Sequence, residues 1–295
     1  MDALQLNRLI VGIEVIIFNV FGQFGNFFII YLTCSRPQLQ SKSAFLQCSL
    51  CFLQSCCLFL MMVNSYLQVM AFNTTRRQCF PVIAPYLFFI LAQFLMMFMI
   101  SLDVLLMILA PFRYRTVSPN LYGFLMVLPS IVIGTIFVHL AYNYLDDEPL
   151  AFCNGMNVLN PSIRMQATYF YMLITTMILA CYIIILLILR SHPSYGLENS
   201  ELQRVVRRLK VIIFVYVCTW YVAVFGIPVL ALLFTGQVLA ILQGNLISFM
   251  LINYSQSFYV IMWRSTDYRQ AFLECFVMRK PTAVVSTLVR VTNTS

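Results

Sequence analysis

Seven apolar segments dominate this sequence and limit the folds open to it. About 20 helical residues cross the hydrocarbon core of a bilayer, and every segment is at least that long. We number them span 1 to span 7, and they lie near residues 9–32, 44–70, 82–110, 120–143, 166–190, 211–234 and 238–263. They take up most of the 295 residues, so the sequence predicts an all-α membrane protein, a seven-transmembrane helix bundle. Gly236 is the only plausible turn between spans 6 and 7.

The composition agrees with a membrane protein. The chain is 61% hydrophobic and 9% charged, whereas soluble domains carry roughly 25% charged residues. We expect no removable signal peptide at the N-terminus, because no basic leader precedes a small-residue cleavage site. A formal net charge of +8 would suggest nucleic acid in a soluble protein. Here we assign the positive charge to cytoplasmic loops and expect membrane lipid, with no nucleic acid, as a partner.

The distribution of Lys and Arg predicts the topology. With the N-terminus outside, only Arg8, Arg76, Arg77 and Arg164 face outward, and all other Lys and Arg lie on the cytoplasmic side. This bias predicts an extracellular N-terminus and a cytoplasmic C-terminus. The acidic residues 146–148 then lie outside.

Two covalent modifications are predicted on the outer side. Cys79 and Cys153 alone among the ten cysteines fall in outer loops, an oxidising environment. We expect a disulfide between them, the alternative being two free thiols. Asn73 begins the sequon Asn73-Thr74-Thr75 and is a candidate glycosylation site, unless it lies too close to the bilayer.

Enzymes, pigments and transporters are poorly supported. His139 and His192 are the only histidines, so we expect no histidine-rich metal site, no cofactor and no enzyme activity. Retinal would need a lysine within the bundle, but Lys42, Lys210 and Lys280 lie at or beyond the inner boundary. An odd number of spans without an internal repeat disfavours a transporter.

Several short motifs keep the order and spacing of a known receptor family. They are Gly25-Asn26, Ser41-Lys42, Cys79-Phe80 with Cys153, Asp103 with Pro111 and Tyr114, Tyr182, Tyr259, and Arg264-Ser265 followed by Tyr268-Arg269. Over roughly residues 20–276 the chain resembles rhodopsin-like G-protein-coupled receptors, and more closely the nematode serpentine chemoreceptors of class SX. The resemblance implies a rhodopsin-like bundle over 1–263, followed by a membrane-surface amphipathic helix and cytoplasmic tail over 264–295.

The chain departs from the family at its switching residues. Val104 stands where the D-R-Y motif has arginine, Gln54 replaces the carboxylate of span 2, and Ser255-Gln256 replaces Asn-Pro before Tyr259. We therefore expect Asp103 to anchor the following loop by a hydrogen bond to Tyr114, and not to form an Asp–Arg ionic lock. Arg113 and Arg115 are further candidate partners.

By resemblance, a ligand pocket opens outward among spans 3, 5, 6 and 7. Its candidate ligand-binding residues are Tyr86, Tyr169, Tyr171, Trp220, Tyr221, Asn245 and Ser248. Aromatic rings with a few hydroxyls and amides suit a small apolar or weakly polar molecule or a peptide. The pocket has no deep acid, so an amine is not indicated. The alternative for each aromatic residue is a packing or interfacial role.

A mid-depth polar belt matches positions that surround a sodium ion in the wider family. It comprises Asn26, Gln54, Gln93 and Ser255. Because it contains no carboxylate, we interpret it as structural, with Gln54 and Gln93 hydrogen-bonding to each other.

The predicted inner surface carries the coupling residues. By resemblance these are Asp103, Val104, Tyr114, Tyr182 and Tyr259, joined by the basic residues Arg207, Arg208 and Lys210 below span 6. The basic residues suit a heterotrimeric G protein or anionic lipid. Cys275, on the amphipathic helix, is a candidate palmitoylation site, the alternative being a buried packing thiol.

Our hypothesis is a plasma-membrane chemosensory receptor that binds a small extracellular ligand and signals to a heterotrimeric G protein. The alternatives are a ligand-gated channel or transport protein, and a receptor-like subunit without G-protein coupling of its own.

Overall fold

The structure is a computed structural model that describes residues 3–70, 74–150, 153–155, 157–191, 211 and 214–276. Within them, seven helices are long and apolar enough to cross a membrane, which confirms the predicted seven-helix bundle. The spans are Ala3–Ser35, Lys42–Met70, Arg76–Leu109, Pro119–Asn143, Pro161–Ser191, Phe214–Leu233 and Gly236–Arg264. Large apolar side chains stay exposed on all of them, as expected of helices that face lipid.

Short elements connect and end the bundle. A 3₁₀ turn, Pro37–Leu39, joins spans 1 and 2, and a loop helix, Pro111–Thr116, follows span 3. The strands β1, Thr74–Thr75, and β2, Pro149–Leu150, pair antiparallel. A surface helix, Thr266–Phe276, follows span 7 as the sequence predicted.

The turn between spans 6 and 7 lies at the predicted glycine. Phe234 and Thr235 are not helical, and Gly236 has a φ of 63°. A side chain is strained in this left-handed conformation, whereas glycine adopts it freely. The chain can therefore reverse within three residues.

Span 3 forms the centre of the bundle and packs against spans 2, 4 and 5, while span 1 packs against spans 2 and 7. Gly25 allows the close approach of spans 1 and 7, because a Cβ atom there would lie 2.6 Å from the Cβ of Phe258. Small residues bring membrane helices together in this way.

Span 6 contains a π-helical turn, Val217–Tyr221, before it continues as an α-helix, Val222–Leu233. Such turns are rare and are often found at functional sites. This one carries Trp220, whose side chain is fully buried at the centre of the bundle.

Candidate functional site

One end of the bundle carries a covalent link, and we call it the disulfide end. Cys79, at the start of span 3, is bonded to Cys153 with a Cα–Cα distance of 5.6 Å, which confirms the predicted disulfide. The pairing of β1 with β2 holds the same loop, with Thr74 opposite Leu150. The loop between spans 4 and 5 is thus fixed over the top of span 3.

Arg76 adds a polar clamp to this loop. Its side chain is 5% exposed and forms ion pairs with Asp146 and, at 2.8 Å, with Glu148. Its Nε also donates to the carbonyl oxygen of Asn157 at 3.3 Å. Asn160 donates to Asp146 at 3.0 Å. A buried arginine with several partners favours a single position of the loop.

A cavity of about 320 Å³ lies beneath the clamped loop. Spans 1, 2, 3, 5, 6 and 7 all contribute to its wall, and Asn154, Gly155 and Asn157 of the loop contribute to its roof. Gly155 packs closely on the ring of Tyr86, since a Cβ atom there would lie 3.0 Å from it. This volume is at the lower end of the range that encloses drug-sized molecules.

The floor of the cavity is aromatic. Phe94 lines the cavity, and its ring centroid lies 4.8 Å from that of Tyr171 and 4.3 Å from that of Trp220. Trp220 in turn packs edge-on against Tyr254 at 5.6 Å. A lining residue therefore contacts the π-helical turn of span 6 directly.

The opposite end holds a compact polar cluster around Asp103, whose side chain is buried. Tyr122 of span 4 donates from its hydroxyl to Oδ1 of Asp103 at 2.6 Å. The ring of Tyr114 packs edge-on against that of Tyr122 at 5.4 Å. Burial, and then the adjacent carboxylate of Asp103, raise the pKa of the Tyr114 phenol. Tyr114 therefore stays protonated and able to donate.

Lys42 completes this cluster. Its ammonium group donates to the carbonyl oxygen of Tyr114 and lies 4.7 Å from the centroid of the Tyr114 ring. It is 5.4 Å from the centroid of the Tyr122 ring, within the range of cation–π attraction. A cation from span 2 thus lies over the rings of Tyr114 and Tyr122, of which Tyr122 binds Asp103.

The polar belt at mid-depth binds mainly to the backbone of other spans. Asn26 donates to the carbonyl oxygen of Tyr254 at 3.0 Å, and Ser255 donates to that of Phe18 at 3.2 Å. Gln54 donates to the carbonyl oxygen of Asn253 and accepts from Ser257, instead of pairing with Gln93. Within the described residues, the buried amide of Gln93 has no hydrogen-bond partner.

Comparison with known families decides the class of this molecule. Residues 19–276 match the family described as serpentine type 7TM GPCR chemoreceptor Srsx. The chain belongs to this serpentine chemoreceptor family. It is accordingly a multi-pass membrane protein of a G-protein-coupled receptor family. None of the curated proteins matches it.

The predicted ligand-binding residues of the receptor occupy different environments. Tyr86 and Tyr171 line the cavity, and Trp220 lies directly beneath its floor. Tyr221 is not among the lining residues and is stacked on Phe225, with ring centroids 4.2 Å apart.

The other three predicted residues also lie outside the cavity wall. Tyr169 is 62% exposed and Asn245 is also exposed, while Ser248 donates to Glu14 of span 1 at 2.5 Å. Helical periodicity explains the difference for Tyr169, because residues two apart point to opposite sides of a helix. Tyr171 faces inward, and Tyr169 therefore faces outward.

Sequence reasoning did not single out several residues of these sites. Arg8, Phe94 and Arg164 line the cavity, Arg76 clamps the loop, and Tyr122 binds Asp103. A signal was available for Arg76, since an outer arginine beside a second outer loop rich in acids suggests ion pairs. None was available for Tyr122, because its approach to Asp103 depends on how spans 3 and 4 pack.

The remaining predicted coupling residues lie toward the opposite end. Val104 is half-buried, Tyr182 packs against Tyr216 with ring centroids 6.4 Å apart, and Tyr259 donates to the carbonyl oxygen of Phe21 at 3.2 Å. Arg207, Arg208, Lys210 and the candidate glycosylation site Asn73 lie outside the described residues.

The surface helix packs back onto span 1. Tyr268 and Thr33 share a hydrogen bond of 3.0 Å, and Arg36 forms an ion pair with Glu274 at 3.4 Å. Burial raises the pKa of the Tyr268 phenol. Cys275 is exposed, so its thiol is accessible to modification.

Proposed function

We propose that this protein is a plasma-membrane chemosensory receptor that binds a small extracellular ligand in the cavity and signals to a heterotrimeric G protein. The disulfide end faces outward in this proposal, because a disulfide persists in an oxidising compartment. The observation that carries the proposal is a contact between the cavity and span 6. Phe94 of the cavity floor packs on Trp220, which lies in the π-helical turn of span 6 and which we call the switch residue.

Through this contact, ligand binding in the cavity can change the conformation at the opposite end of the bundle. A ligand that displaces Phe94 changes the packing of Trp220 against Tyr254. A π-helical turn can relax to α-helix, which rotates one half of the helix relative to the other. A rotation of span 6 moves the residues below it, where Arg207, Arg208 and Lys210 are our proposed contacts with the G protein.

In this proposal, the receptor couples to the G protein without the arginine of the D-R-Y motif. We propose that Asp103 is a structural anchor, held by Tyr122 and Tyr114 beneath Lys42, and that the basic residues below span 6 supply the positive charge of the coupling surface. Val104→Arg should add an arginine to the inner face and raise G-protein coupling. Unchanged coupling in a strongly signalling receptor would place the coupling surface entirely on the span 6 extension.

The function is tested by a ligand screen in cells that express the receptor, with cAMP, calcium and membrane current recorded together. A hit should raise or lower cAMP or calcium only when the G protein is present. Current without a G protein would favour the channel, and silence of both the unmodified receptor and Val104→Arg would favour the subunit without its own coupling.

The chain offers a matched control for the switch, because it has two tryptophans. Trp220 is fully buried beneath the cavity, while Trp263 is 64% exposed near the end of span 7 that lies away from the cavity. At equal surface expression, Trp220→Leu should abolish the ligand response, and Trp263→Leu should leave it largely intact. Equal effects of the two changes would remove Trp220 from the mechanism.

A further inference from the structure

The charged side chains that line the cavity, among the described residues, are of one sign. Arg8 and Arg164 are both lining residues, and no aspartate or glutamate occurs in the lining that the structure describes. Both arginines lie at the disulfide ends of their spans, Arg8 near the start of span 1 and Arg164 near the start of span 5. Arginine keeps its charge at any physiological pH.

The acids near this end are already engaged. Asp146 and Glu148 pair with Arg76, Asp147 pairs with Arg77, and Glu14 accepts a hydrogen bond from Ser248. Across the described residues, Arg164 forms no ion pair with any carboxylate. Among the described residues, Arg164 therefore keeps a positive charge at the cavity mouth that no carboxylate pairs with, and low-dielectric walls strengthen its field.

The polarity of the wall changes with depth. Amides line the part nearest the loop, contributed by Asn7, Gln68, Asn154, Asn157 and Gln243. Deeper positions are mostly apolar and include Met61, Phe94, Val224 and Met250, with the amide of Asn64 between Gln68 and Met61 on span 2. A molecule matched to this wall has a polar, charged head near the mouth and an apolar body on the floor.

We propose that the cavity selects small amphipathic anions, with an acidic head such as a carboxylate beside Arg164 and Arg8. The apolar body rests on Phe94, above Trp220. This inference rests on the proposed function, because it names the ligand class of the same site. Arg164 is the principal determinant, since a planar guanidinium binds a carboxylate with two parallel hydrogen bonds.

The first test measures thermal unfolding of the purified receptor with three probes of equal chain length: octanoate, octanol and octylamine. A ligand that binds only the native state raises the unfolding midpoint. Octanoate should raise it most, and Arg164→Gln should weaken octanoate binding by about tenfold or more, the usual effect of losing a charged hydrogen bond. Arg77→Gln is the matched control, because Arg77 lies at the same end, is exposed and does not line the cavity.

Stabilisation by octylamine above octanoate, or an octanoate effect that survives Arg164→Gln, would overturn the proposal. The conservative change Arg164→Lys should retain part of the effect, because the positive charge remains while the two-pronged geometry is lost.

The second test measures the sign of the potential without any ligand. Thr168 lines the cavity one helical turn from Arg164, and Thr168→Cys would place a thiol there. On intact cells, the rates of modification by an anionic and a cationic methanethiosulfonate are each divided by the rate of the same reagent with a free thiol in solution, because a thiolate by itself reacts faster with the cation. The normalised rates should favour the anionic reagent, and this preference should fall in the double variant with Arg164→Gln. A normalised preference for the cationic reagent would refute a positive mouth.

These results separate the ligand class from the proposed function. Octanoate binding without G-protein activation would retain the anion site and count against chemosensory signalling by this ligand class. Activation through this cavity by a cation would retain the receptor function and reject the anion site.

Discussion

Asp103 shows at the scale of one residue how the site compensates for a missing arginine. The sequence predicted that a hydrogen-bonding anchor replaces the ionic lock, with Tyr114 as its partner. The structure places the hydroxyl of Tyr122 2.6 Å from the carboxylate and packs Tyr114 against Tyr122. A buried carboxylate without a donor would be unfavourable, and the hydroxyl of Tyr122 supplies that donor.

Tyr122→Phe should destabilise the receptor more than Tyr114→Phe. It removes a donor from a carboxylate that is 1% exposed, at a cost of about 1–3 kcal/mol. Tyr114 is half-buried, so water can replace part of its contribution. The measurement is thermal unfolding of the purified receptor, with the exposed Tyr66→Phe as control. A loss no larger than that of Tyr66→Phe would show that Asp103 does not depend on Tyr122.

Asp103 itself allows a related comparison. Asp103→Asn keeps an oxygen that accepts from Tyr122, so most surface expression and signalling should remain. Asp103→Leu leaves the hydroxyl of Tyr122 without its acceptor and should lower surface expression clearly. Equal expression of the two variants, counted by flow cytometry, would contradict an anchoring role.

At the scale of an element, three different contacts hold the loop over the cavity in place. They are the disulfide, the β1–β2 pairing and the Arg76 ion pairs. The disulfide closes a segment with a sequence separation of 74 residues. In the chain-entropy model a loop of this length contributes roughly 4 kcal/mol of stability.

Cys79→Ser should therefore reduce surface expression about as much as the double variant with Cys153→Ser, since either change breaks the same bond. Surface and total receptor are measured by labelling an epitope tag. Losses of surface expression that simply add in the double variant would mean that each thiol acts independently.

Arg76→Gln should reduce surface expression less than the loss of the disulfide does, and it should increase the mobility of the loop.

The close packing of span 1 on span 7 can be tested at Gly25. Gly25→Ala should destabilise the bundle by about 1–3 kcal/mol, because the new methyl group would lie 2.6 Å from the Cβ of Phe258 and force the helices apart. Gly12→Ala is the control, since its Cβ would lie 3.4 Å from Ser65 Oγ, an ordinary contact. Unfolding midpoints of the two variants that coincide would rule out close packing at Gly25.

At the scale of the whole molecule, the orientation of the bundle in the membrane can be predicted and tested. We propose an extracellular N-terminus, because few arginines lie at the disulfide end and a basic segment follows span 5 on the other side. An epitope at the N-terminus should be stained on intact cells, and one at the C-terminus only after permeabilisation. The reverse pattern would place the cavity in the cytosol and contradict the proposed function.

The sequence by itself determined the number of spans, the turn at Gly236, the surface helix and the disulfide. These features depend on local hydrophobicity, on backbone freedom at one residue and on the small number of cysteines at one end, all of which can be read along the chain. The family could also be identified, because its motifs are spaced along the sequence.

Only the tertiary structure decided which side chains meet. Tyr171 rather than Tyr169 lines the cavity, Gln54 binds span 7 rather than Gln93, and Tyr122 reaches Asp103 across two helices. These contacts depend on the rotation and spacing of each helix against its neighbours. A membrane bundle has little contrast between lipid-facing and buried apolar residues, so the sequence pattern specifies that rotation only weakly.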